Sequence, residues 1–308
     1  MSNAVTVTVP ATTANLGPGF DCIGAALSLH NQFRFSLAEP SAAAVTIDVT
    51  GLEAERVDTD ERNLAYQAFV KLYRYLGQSP PPIAIDITLK IPLARGLGSS
   101  ATAIVGGLVG ANVLAGSPLS TEDVMNLAIA MEGHPDNVVP ALVGGCRLAA
   151  TSLDSNWAIA DITWHSDLAP IVAIPDFELS TAEARRVLPQ DYSRADAIFN
   201  VSHLGLLLRG LETGREDWLR AALQDRIHQP YRQSLIKGYD AVQAAALDAG
   251  AYGLVISGAG PTLLALAHQK DAAEVAIALS TTWISQGISV QTQVLQLDQT
   301  GAVIRDRN

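Results

Sequence analysis

A glycine-rich loop, Pro92-Leu93-Ala94-Arg95-Gly96-Leu97-Gly98-Ser99-Ser100-Ala101, lies between a predicted strand and a predicted helix. Apolar residues alternate over residues 83–91 before it, which indicates a strand, and an uncharged helical run over residues 101–115 follows it. Glycines allow backbone N–H groups to approach a phosphate closely, and the N-terminus of a helix favours an anion. The pattern therefore predicts a phosphate-binding strand-loop-helix unit.

Three interpretations of this loop compete. A Walker A motif is excluded because the loop contains no lysine. Gly96, Gly98 and Ala101 match the spacing of the dinucleotide-binding fingerprint. That fingerprint requires a following strand with an acidic residue about twenty positions on, where this chain has a turn and a second predicted helix from Ser120. A glycine-rich turn without a ligand stays open from the loop alone.

Two more glycine-rich segments favour a shared ligand site. Residues 10–21 read Pro-Ala-Thr-Thr-Ala-Asn-Leu-Gly-Pro-Gly-Phe-Asp, which places the amide of Asn15 six residues before the carboxylate of Asp21. Residues 257–262 read Ser-Gly-Ala-Gly-Pro-Thr and lie between two apolar runs. Each segment alone is typical of a turn. Three of them in one chain are harder to explain as unrelated turns.

Composition and charge exclude several classes of protein. The 308 residues are 48% hydrophobic and 17% charged, as in a compact globular protein of one large or two ordinary domains. A net charge of −11 argues against nucleic-acid or anionic-lipid binding. Only Cys22 and Cys146 are present, which excludes a disulfide framework and fits a reducing compartment. Residues 1–18 contain no basic residue, so no secretory signal is predicted and a cytoplasmic location is expected.

The remaining pattern mixes strands and helices without regular alternation, which predicts an α+β fold. Strands are predicted at residues 5–9, 27–37, 45–49, 83–91, 145–150, 157–164 and 171–174, within 253–266 and at the C-terminus. Helices are predicted at residues 63–76, 101–115, from 120, and at 181–188, 195–211, 218–227, 235–249 and 272–286. Uncharged stretches at 96–121 and 249–267 are interrupted by glycine and proline, so we expect buried core there, not membrane spans. The domain boundary is predicted between residues 165 and 166, giving domains 1–165 and 166–308.

Six segments in order resemble the signature segments of the GHMP small-molecule kinases. Besides the three glycine-rich segments they are Glu132-Gly-His134-Pro-Asp136-Asn137-Val-Val-Pro, Ser180-Thr181-Ala-Glu-Ala-Arg185 and Gln229-Pro-Tyr-Arg232. The match is strongest to the branch of the family that phosphorylates homoserine. The resemblance implies an enzyme of threonine biosynthesis that uses ATP to convert L-homoserine to O-phospho-L-homoserine.

The same resemblance implies a two-domain GHMP kinase fold. Its N-terminal, ATP-binding domain would be similar to domain 2 of ribosomal protein S5, with a left-handed βαβ crossover, and its C-terminal domain would be ferredoxin-like. The resemblance also implies that the protein forms a homodimer. It further implies that the small molecule bound by the protein is the substrate L-homoserine.

The resemblance assigns ATP to the glycine-rich loop and the helix after it. The implied nucleotide-binding residues are Asn63, Pro92, Leu93, Ala94, Arg95, Gly96, Leu97, Gly98, Ser99, Ser100, Ala101 and Thr102. Asn63 is equally well explained as the N-cap of the first helix. Because the loop has no lysine, backbone N–H groups and Mg²⁺ must meet the phosphate charge. Ser100, with Ser99 as the second choice, and Glu132 match the Mg²⁺ ligands of the family, although Glu132 alone reads as a solvated residue at a helix end.

The substrate explains a second set of matched residues. Homoserine carries a carboxylate, which the planar fork of arginine binds bidentately, and Arg185 and Arg232 match the substrate arginines of the family, whereas Arg186 has no match. The implied substrate-binding residues are Asn15, Asp21, His134, Asn137, Thr181, Arg185 and Arg232, and the implied catalytic residues are Asn15, Asp21 and Asn137.

One departure from the wider family concerns the catalytic base. Asn137 stands near the position where kinases similar to mevalonate kinase have an aspartate, and an amide cannot accept the hydroxyl proton. Either another group accepts it, with Asp21 and Asp136 as candidates, or alignment and charge neutralisation suffice. Two alternative functions stay open: a GHMP kinase for another small alcohol such as mevalonate, and a non-catalytic ligand-binding relative, against which the intact loop and Glu132 argue.

Overall fold

The computed structural model describes residues 3–39, 41, 43–154 and 156–307 and contains two β-sheets. The first sheet has the strand order β11-β1-β2-β4-β3, and β5 pairs with β2 and with β6. Its strands are β1 (Ala4–Ala14), β2 (Ile23–Leu37), β3 (Val45–Gly51), β4 (Ile83–Leu89), β5 (Cys146–Thr151), β6 (Trp157–Ile162) and β11 (Val303–Arg307). β3 and β4 are parallel, so the chain between them crosses over the sheet, while the other pairs are antiparallel.

Alternation in the sequence sets the inner face of this sheet. Val5, Val7 and Val9 are fully buried because alternate residues of a strand point to the same side. Val5 and Val7 lie opposite Phe35 and Phe33 of β2, which are also buried. These residues form the floor on which the helices of the first domain pack.

Four helices cover that face: α1 (Leu64–Tyr75), α2 (Ser99–Leu114), α3 (Thr121–Glu132) and α4 (Pro135–Val143). The predicted buried run belongs to α2, which is apolar on all sides. Gly107 of α2 permits a close approach to α1, because a Cβ there would lie 2.2 Å from the carbonyl oxygen of Ala65. None of the helices in the described residues is long and apolar enough to cross a bilayer.

The second sheet is antiparallel with the order β10-β7-β9-β8. Its strands are β7 (Leu168–Pro175), β8 (Gly253–Ile256), β9 (Leu263–His268) and β10 (Val290–Val294), with helices α9 (Tyr239–Asp248) and α10 (Ala272–Ser285). The succession β7-α9-β8-β9-α10-β10 in this order is the ferredoxin-like βαββαβ arrangement. Four helices are inserted between β7 and α9: α5 (Thr181–Arg186), α6 (Arg194–Thr213), α7 (Glu216–Ala222) and α8 (Gln229–Arg232).

A shared apolar cluster joins the two sheets beneath the glycine-rich segments. Leu16, Ile23 and Leu97 come from the first part of the chain and pack with Val255 and Leu264 of the second sheet. All five are essentially buried. The three glycine-rich segments therefore pack on one apolar cluster and do not project as independent loops.

The predicted elements differ from the structure in several places. The helix α4, which begins with Pro135 at its first position, was not among the predicted helices. The predicted helix over residues 218–227 ends at Ala222, and α8 follows as a separate short helix. The chain passes to the second sheet between β6 and β7, near the predicted boundary, but β11 returns to pair with β1 of the first sheet. The division into domains 1–165 and 166–308 stays a prediction about folding units.

Candidate active site

A cleft between the two sheets is lined by all three glycine-rich segments, the end of α3, the start of α4, and residues of α5 and α8. Backbone contacts hold the segments together. Thr12 N–H donates to Leu97 O at 3.1 Å, and Gly258 N–H donates to Ala14 O at 3.1 Å. The side-chain amide of Asn15 donates to Gly258 O at 2.8 Å. These bonds join residues up to 244 positions apart in the sequence, so the cleft exists only in the folded chain.

Close backbone packing explains the glycines of the central loop. Gly96 has φ +75° and Gly98 has φ +68°, both in the left-handed region that favours glycine. A Cβ on Gly96 would lie 2.3 Å from Ser257 O, and one on Gly98 would lie 2.0 Å from Thr12 Oγ1. Gly98 is also the N-cap of α2. The N–H groups of the first turn of α2 therefore open into the cleft without helical partners, as an anion site requires.

A hydroxyl and a carboxylate meet beside this helix start. Ser100 Oγ donates to Glu132 Oε1 at 2.8 Å, although the two residues belong to different helices. Glu132 is the last residue of α3, which Gly133 terminates in the left-handed conformation with φ +89°. Both side chains line the cleft. Two side-chain oxygens beside the N-terminus of a helix could hold Mg²⁺, which takes few protein ligands and completes its shell with phosphate and water.

The Arg95 guanidinium is used by backbone carbonyl groups of the chain itself. It is 7% exposed and donates to Leu93 O, Pro175 O and Asp176 O at 2.8, 3.1 and 2.9 Å. It also pairs with Glu53. Arg95 thus ties the loop to the segment that leads into α5, and any contact of Arg95 with a nucleotide would come from its backbone.

An apolar pocket opens beside the first turn of α2. Phe33, Val57 and Leu93 contribute to its walls, and Asn63 lies at its edge. Asn63 is the N-cap of α1, because its Oδ1 accepts from Ala65 N at 3.0 Å and from Tyr66 N at 3.3 Å. The pocket has the size and character for a flat heterocycle next to the phosphate site.

At the opposite end of the cleft, Asp21 forms a two-pronged ion pair with Arg185. Arg185 Nη2 donates to Asp21 Oδ1 at 2.8 Å and Nη1 donates to Oδ2 at 2.9 Å. Hydrogen bonding to Asp21 raises the pKa of Arg185 above its usual value. Asp21 has φ +57°, and its N–H donates to Asn15 Oδ1 at 3.0 Å. The segment 15–21 therefore presents a carboxylate at a fixed place in the cleft.

A second arginine lies deeper. Arg232 is 2% exposed, and burial together with the charge of Arg185 lowers its pKa to about 10. Its Nε donates to Ala184 O at 3.1 Å and its Nη1 to Gly258 O at 3.0 Å. The Phe20 ring lies 5.7 Å from the Arg185 guanidinium carbon and 5.0 Å from that of Arg232. Two cations thus lie near one aromatic ring and line the same cleft, an arrangement that favours an anionic group.

The start of α4 provides three polar side chains. His134 Nδ1 and Asp136 Oδ1 are 2.5 Å apart. Burial lowers the pKa of His134, but the hydrogen bond and charge of Asp136, with Glu132 and Asp21, outweigh it and raise the pKa overall. Thr12 Oγ1 donates to Asn137 Oδ1 at 2.8 Å, which fixes the orientation of the Asn137 amide.

Comparison with known proteins agrees with this geometry. The family models for the GHMP kinase N-terminal domain and the GHMP kinase C-terminal domain match residues 63–145 and 207–285. The homoserine kinase of Trichormus variabilis is 68% identical over 300 residues, which cover 97% of this chain and 98% of that protein. The chain belongs to the homoserine kinases of the GHMP family. The predictions of this family, of a two-domain GHMP kinase fold and of an enzyme are thereby confirmed.

Other relatives of this kinase agree. The homoserine kinase of Trichodesmium erythraeum is 65% identical, with 98% of both chains covered. The crystal structure of homoserine kinase from Cytophaga hutchinsonii superimposes with a TM-score of 0.89 at 31% identity, covering 99% of this chain and 98% of that one. A mevalonate kinase structure reaches a TM-score of 0.70 at 13% identity, which shows a shared fold only.

Most of the sequence-predicted site residues of the kinase meet in the cleft. These are Asn15, Asp21, Ala94, Arg95, Gly96, Gly98, Ser99, Ser100, Glu132, His134, Asn137, Thr181, Arg185 and Arg232. Leu93 and Asn63 line the apolar pocket. Pro92, Leu97, Ala101 and Thr102 line neither, and Leu97, Ala101 and Thr102 are essentially buried. Their roles as nucleotide-binding residues stay predictions, with loop support as the contribution that the packing shows.

Two residues of the kinase, Phe20 and His228, lie beside the site without having been predicted from the sequence. Phe20 lies directly before Asp21, inside the quoted segment, so its position was a usable signal. His228 is fully buried and directly precedes the quoted segment Gln229–Arg232. Nothing in the local sequence shows that its ring stacks on Phe20 with ring centroids 5.0 Å apart.

Proposed function

We propose that this kinase transfers the γ-phosphoryl group of ATP to the side-chain hydroxyl of L-homoserine, giving O-phospho-L-homoserine. Homoserine kinases 59–68% identical to the chain over nearly its whole length confirm the predicted activity, which belongs to threonine biosynthesis. The assignment of roles is supported by the difference between the two ends of the cleft. A helix N-terminus suited to phosphate lies at one end, and two arginines with a carboxylate lie at the other.

The nucleotide is held at the first end. The N–H groups at the start of α2 receive the phosphates, with the partial positive charge of the helix end adding to them. The base and ribose enter the apolar pocket lined by Phe33, Val57 and Leu93. The γ-phosphate then lies between the loop and the substrate end of the cleft.

Ser100 and Glu132 would hold Mg²⁺. Their oxygens are already within hydrogen-bond distance of one another, 2.8 Å apart, and both belong to the cleft wall. Bound there, the ion supplies the positive charge that phosphoryl transfer requires. Among the described residues no group of three or more His, Cys, Asp or Glu could hold a metal ion, so the phosphates themselves must supply ligands.

The amino acid binds at the second end. Arg232 and Arg185 take the carboxylate, because both guanidinium groups line the cleft and their charged N–H groups form strong hydrogen bonds with a carboxylate. Asp21 and Asn15 hold the polar end that carries the reacting hydroxyl, with His134 and Thr181 completing the walls. The Asp21–Arg185 ion pair must open or shift when the amino acid binds. Homoserine is a zwitterion, so its ammonium and carboxylate groups compensate the charges of Asp21 and Arg185 at once.

Catalysis then depends on alignment and charge neutralisation. Asn137 cannot act as a base, and its amide oxygen accepts from Thr12 while its nitrogen lies 3.4 Å from Asp136 Oδ1. Asp136 in turn is engaged by His134. A loose phosphoryl-transfer transition state needs little help from a base, so the fixed Asn137 amide serves as an orienting group.

The direct test is ³¹P NMR of the product formed from ATP, Mg²⁺ and L-homoserine. The spectrum should show a phosphomonoester of homoserine, and its absence with active, folded enzyme contradicts the assignment. Ser100→Ala should raise the Mg²⁺ concentration needed for half-maximal rate, while Ser202→Ala, an exposed serine on α6, should not. Equal Mg²⁺ dependence in both variants would remove Ser100 from the metal site.

The predicted homodimer and cytoplasmic location belong to the same proposal. A mass of about twice 32.4 kDa in light scattering would support the dimer, and the monomer mass would contradict it. If mevalonate were the better substrate, the chain would be a kinase for another alcohol. If the protein bound ATP without turnover, it would be a non-catalytic relative.

A further inference from the structure

His228 is a fully buried histidine at the back of the cleft that the proposed mechanism does not use. Its exposure is 0%, and it does not belong to the residues that line the cleft. It therefore cannot touch the substrate and can act only through its neighbours. Its ring is stacked on Phe20, the residue that also faces both substrate arginines.

The two partners of the ring determine its protonation state. Nε2 lies 2.9 Å from Gly17 O, and a carbonyl oxygen can only accept, so Nε2 carries the proton. Nδ1 lies 3.4 Å from Arg232 Nη1, and a guanidinium can only donate, so Nδ1 presents its lone pair. The ring is thus the neutral Nε2–H tautomer. Burial lowers the pKa of His228, and although the charge of Asp225 opposes this, the charge of Arg232 acts in the same direction as burial and the pKa is lowered overall.

Asp225 does not compete for this ring. Its nearest oxygen is 3.7 Å from Nε2, beyond hydrogen-bond distance. Its two carboxylate oxygens accept instead from the backbone N–H groups of residues 227, 228 and 229 at 2.7–3.0 Å and from the Asn200 amide at 2.6 Å. Asp225 therefore fixes the backbone that carries His228 and leaves the ring to its two partners.

These contacts join two parts of the substrate site. Gly17 belongs to the segment that carries Asn15 and Asp21, and Arg232 belongs to α8. Arg232 Nη1 is shared between Gly258 O and the His228 ring, and Nε is used by Ala184 O. In the described part of the chain no acceptor contacts Nη2, so this nitrogen is the one left for a ligand.

We propose that His228 is a positioning residue for the substrate, which accepts from Arg232 through Nδ1 and donates to Gly17 through Nε2. It sets the Arg232 fork relative to the Asn15–Asp21 segment, so that the carboxylate and the hydroxyl end of one small amino acid are held together. The inference rests on the proposed function, because the substrate carboxylate is assigned to Arg232.

Two amide variants separate the two halves of this role. The Oδ1 of an asparagine occupies the Nδ1 position of a histidine, so His228→Asn keeps an acceptor for Arg232 and loses the bond to Gly17. The Nε2 of a glutamine occupies the Nε2 position, so His228→Gln keeps the donor to Gly17 and loses the acceptor for Arg232. His203, on α6 outside the cleft with its Nδ1 2.7 Å from Phe199 O, gives the matched control pair.

The kinetic result expected is a split between KM and kcat. A hydrogen bond to a charged group is stronger than a neutral one, so His228→Gln should raise the KM for homoserine about 10-fold or more and change kcat little. His228→Asn should lower kcat about 3- to 10-fold with a smaller change in that KM. The KM for ATP should stay unchanged in both, and the His203 variants should match the wild type. Equal losses in both His228 variants, extending to the KM for ATP, would indicate a merely structural role and overturn the proposal.

A measurement on the unmutated enzyme keeps the test independent of folding and of turnover. In ¹⁵N-histidine-labelled enzyme at neutral pH without substrate, the His228 signals should show a protonated Nε2 and an unprotonated Nδ1. Disappearance of these signals in the two variants assigns them. An imidazolium or an Nδ1–H tautomer would overturn the proposal even if homoserine is phosphorylated, whereas failure of the wild type to phosphorylate homoserine would refute the proposed function and leave this result standing.

Discussion

Replacing Asp21 by asparagine separates a base from a positioning group. Asp21 has φ +57°, and asparagine is one of the few residues that tolerate the left-handed region. The hydrogen bond from the Asp21 backbone N–H to Asn15 Oδ1 does not involve the Asp21 side chain and is therefore retained. Asp21→Asn thus removes the charge and one acceptor while leaving the course of the chain in place.

The expected magnitudes follow from the surroundings of the carboxylate. The side chains of Asp21 and Arg185 are 34% and 39% exposed, so solvent screens the pair and its loss should cost no more than about 1 kcal/mol of stability. An amide oxygen still accepts a hydrogen bond from the substrate hydroxyl. A positioning role therefore predicts a fall in kcat within about 10-fold, whereas loss of a general base typically costs about 10²- to 10⁴-fold.

The assay is ADP release coupled to a reporter enzyme, at saturating homoserine and ATP, with circular dichroism as the check on folding. Asp217→Asn is the control, because Asp217 is an exposed carboxylate that is also paired with an arginine, Arg215, outside the cleft. We expect kcat of Asp21→Asn to stay within about 10-fold of the wild type. A fall of about 100-fold or more in a folded variant would refute alignment without a base and make Asp21 the proton acceptor.

Three further predictions concern other parts of the site. Arg232→Leu should raise the KM for homoserine about 30-fold or more, since a buried charged contact is worth about 2–5 kcal/mol, and leave the KM for ATP unchanged. Arg185→Leu should raise the same KM less, by about 5-fold, because its side chain is 39% exposed and solvent screens the contact to about 1 kcal/mol. The exposed Arg186→Leu should change neither KM, and equal losses in all three variants would contradict the site. Gly98→Ala adds roughly 1–2 kcal/mol of backbone strain and a Cβ 2.0 Å from a hydroxyl of the first glycine-rich segment, so calorimetric titration should show weakened ATP binding, and wild-type affinity would exclude this loop. The pKa of His134 is raised above its usual 6.5, so the stability from its charged form is complete below that value and lost as the pH rises through the folded value. His134→Gln should therefore cost more free energy of unfolding at about pH 5.5 than at about pH 8.5 in urea titrations, and equal costs would contradict the assignment.

Local chemistry explains why much of the site was predictable. A glycine-rich loop between an alternating strand and an uncharged helix is typical of a phosphate-binding site. Gly96 and Gly98 indeed have positive φ, and neither position has room for a Cβ atom. The N-cap of α1 was likewise readable, because Asn63 precedes an apolar helical pattern. These features depend on residues that are close together in the sequence, and such local patterns can be recognised in a single sequence.

Features that depend on distant residues were not predictable. The helix α4 was not predicted from the sequence, and its internal Pro140 has no N–H to offer to Asp136 O. That oxygen packs against Gly24, where a Cβ would lie 1.7 Å away, so tertiary packing accommodates the proline. The ion pair of Asp21 and Arg185, which are 164 residues apart, was not predictable either. Nor was the pairing of β11 with β1.

One substrate comparison tests most directly whether the cleft selects an amino-acid alcohol. The kcat/KM for ATP-dependent ADP release should be measured with L-homoserine, L-threonine, mevalonate and galactose, with Arg232→Leu in parallel. We expect L-homoserine to give the highest value, mevalonate and galactose to give none above background, and Arg232→Leu to lose the preference for L-homoserine. A higher kcat/KM for mevalonate or galactose in the wild type would contradict the assignment of the two arginines and of the function.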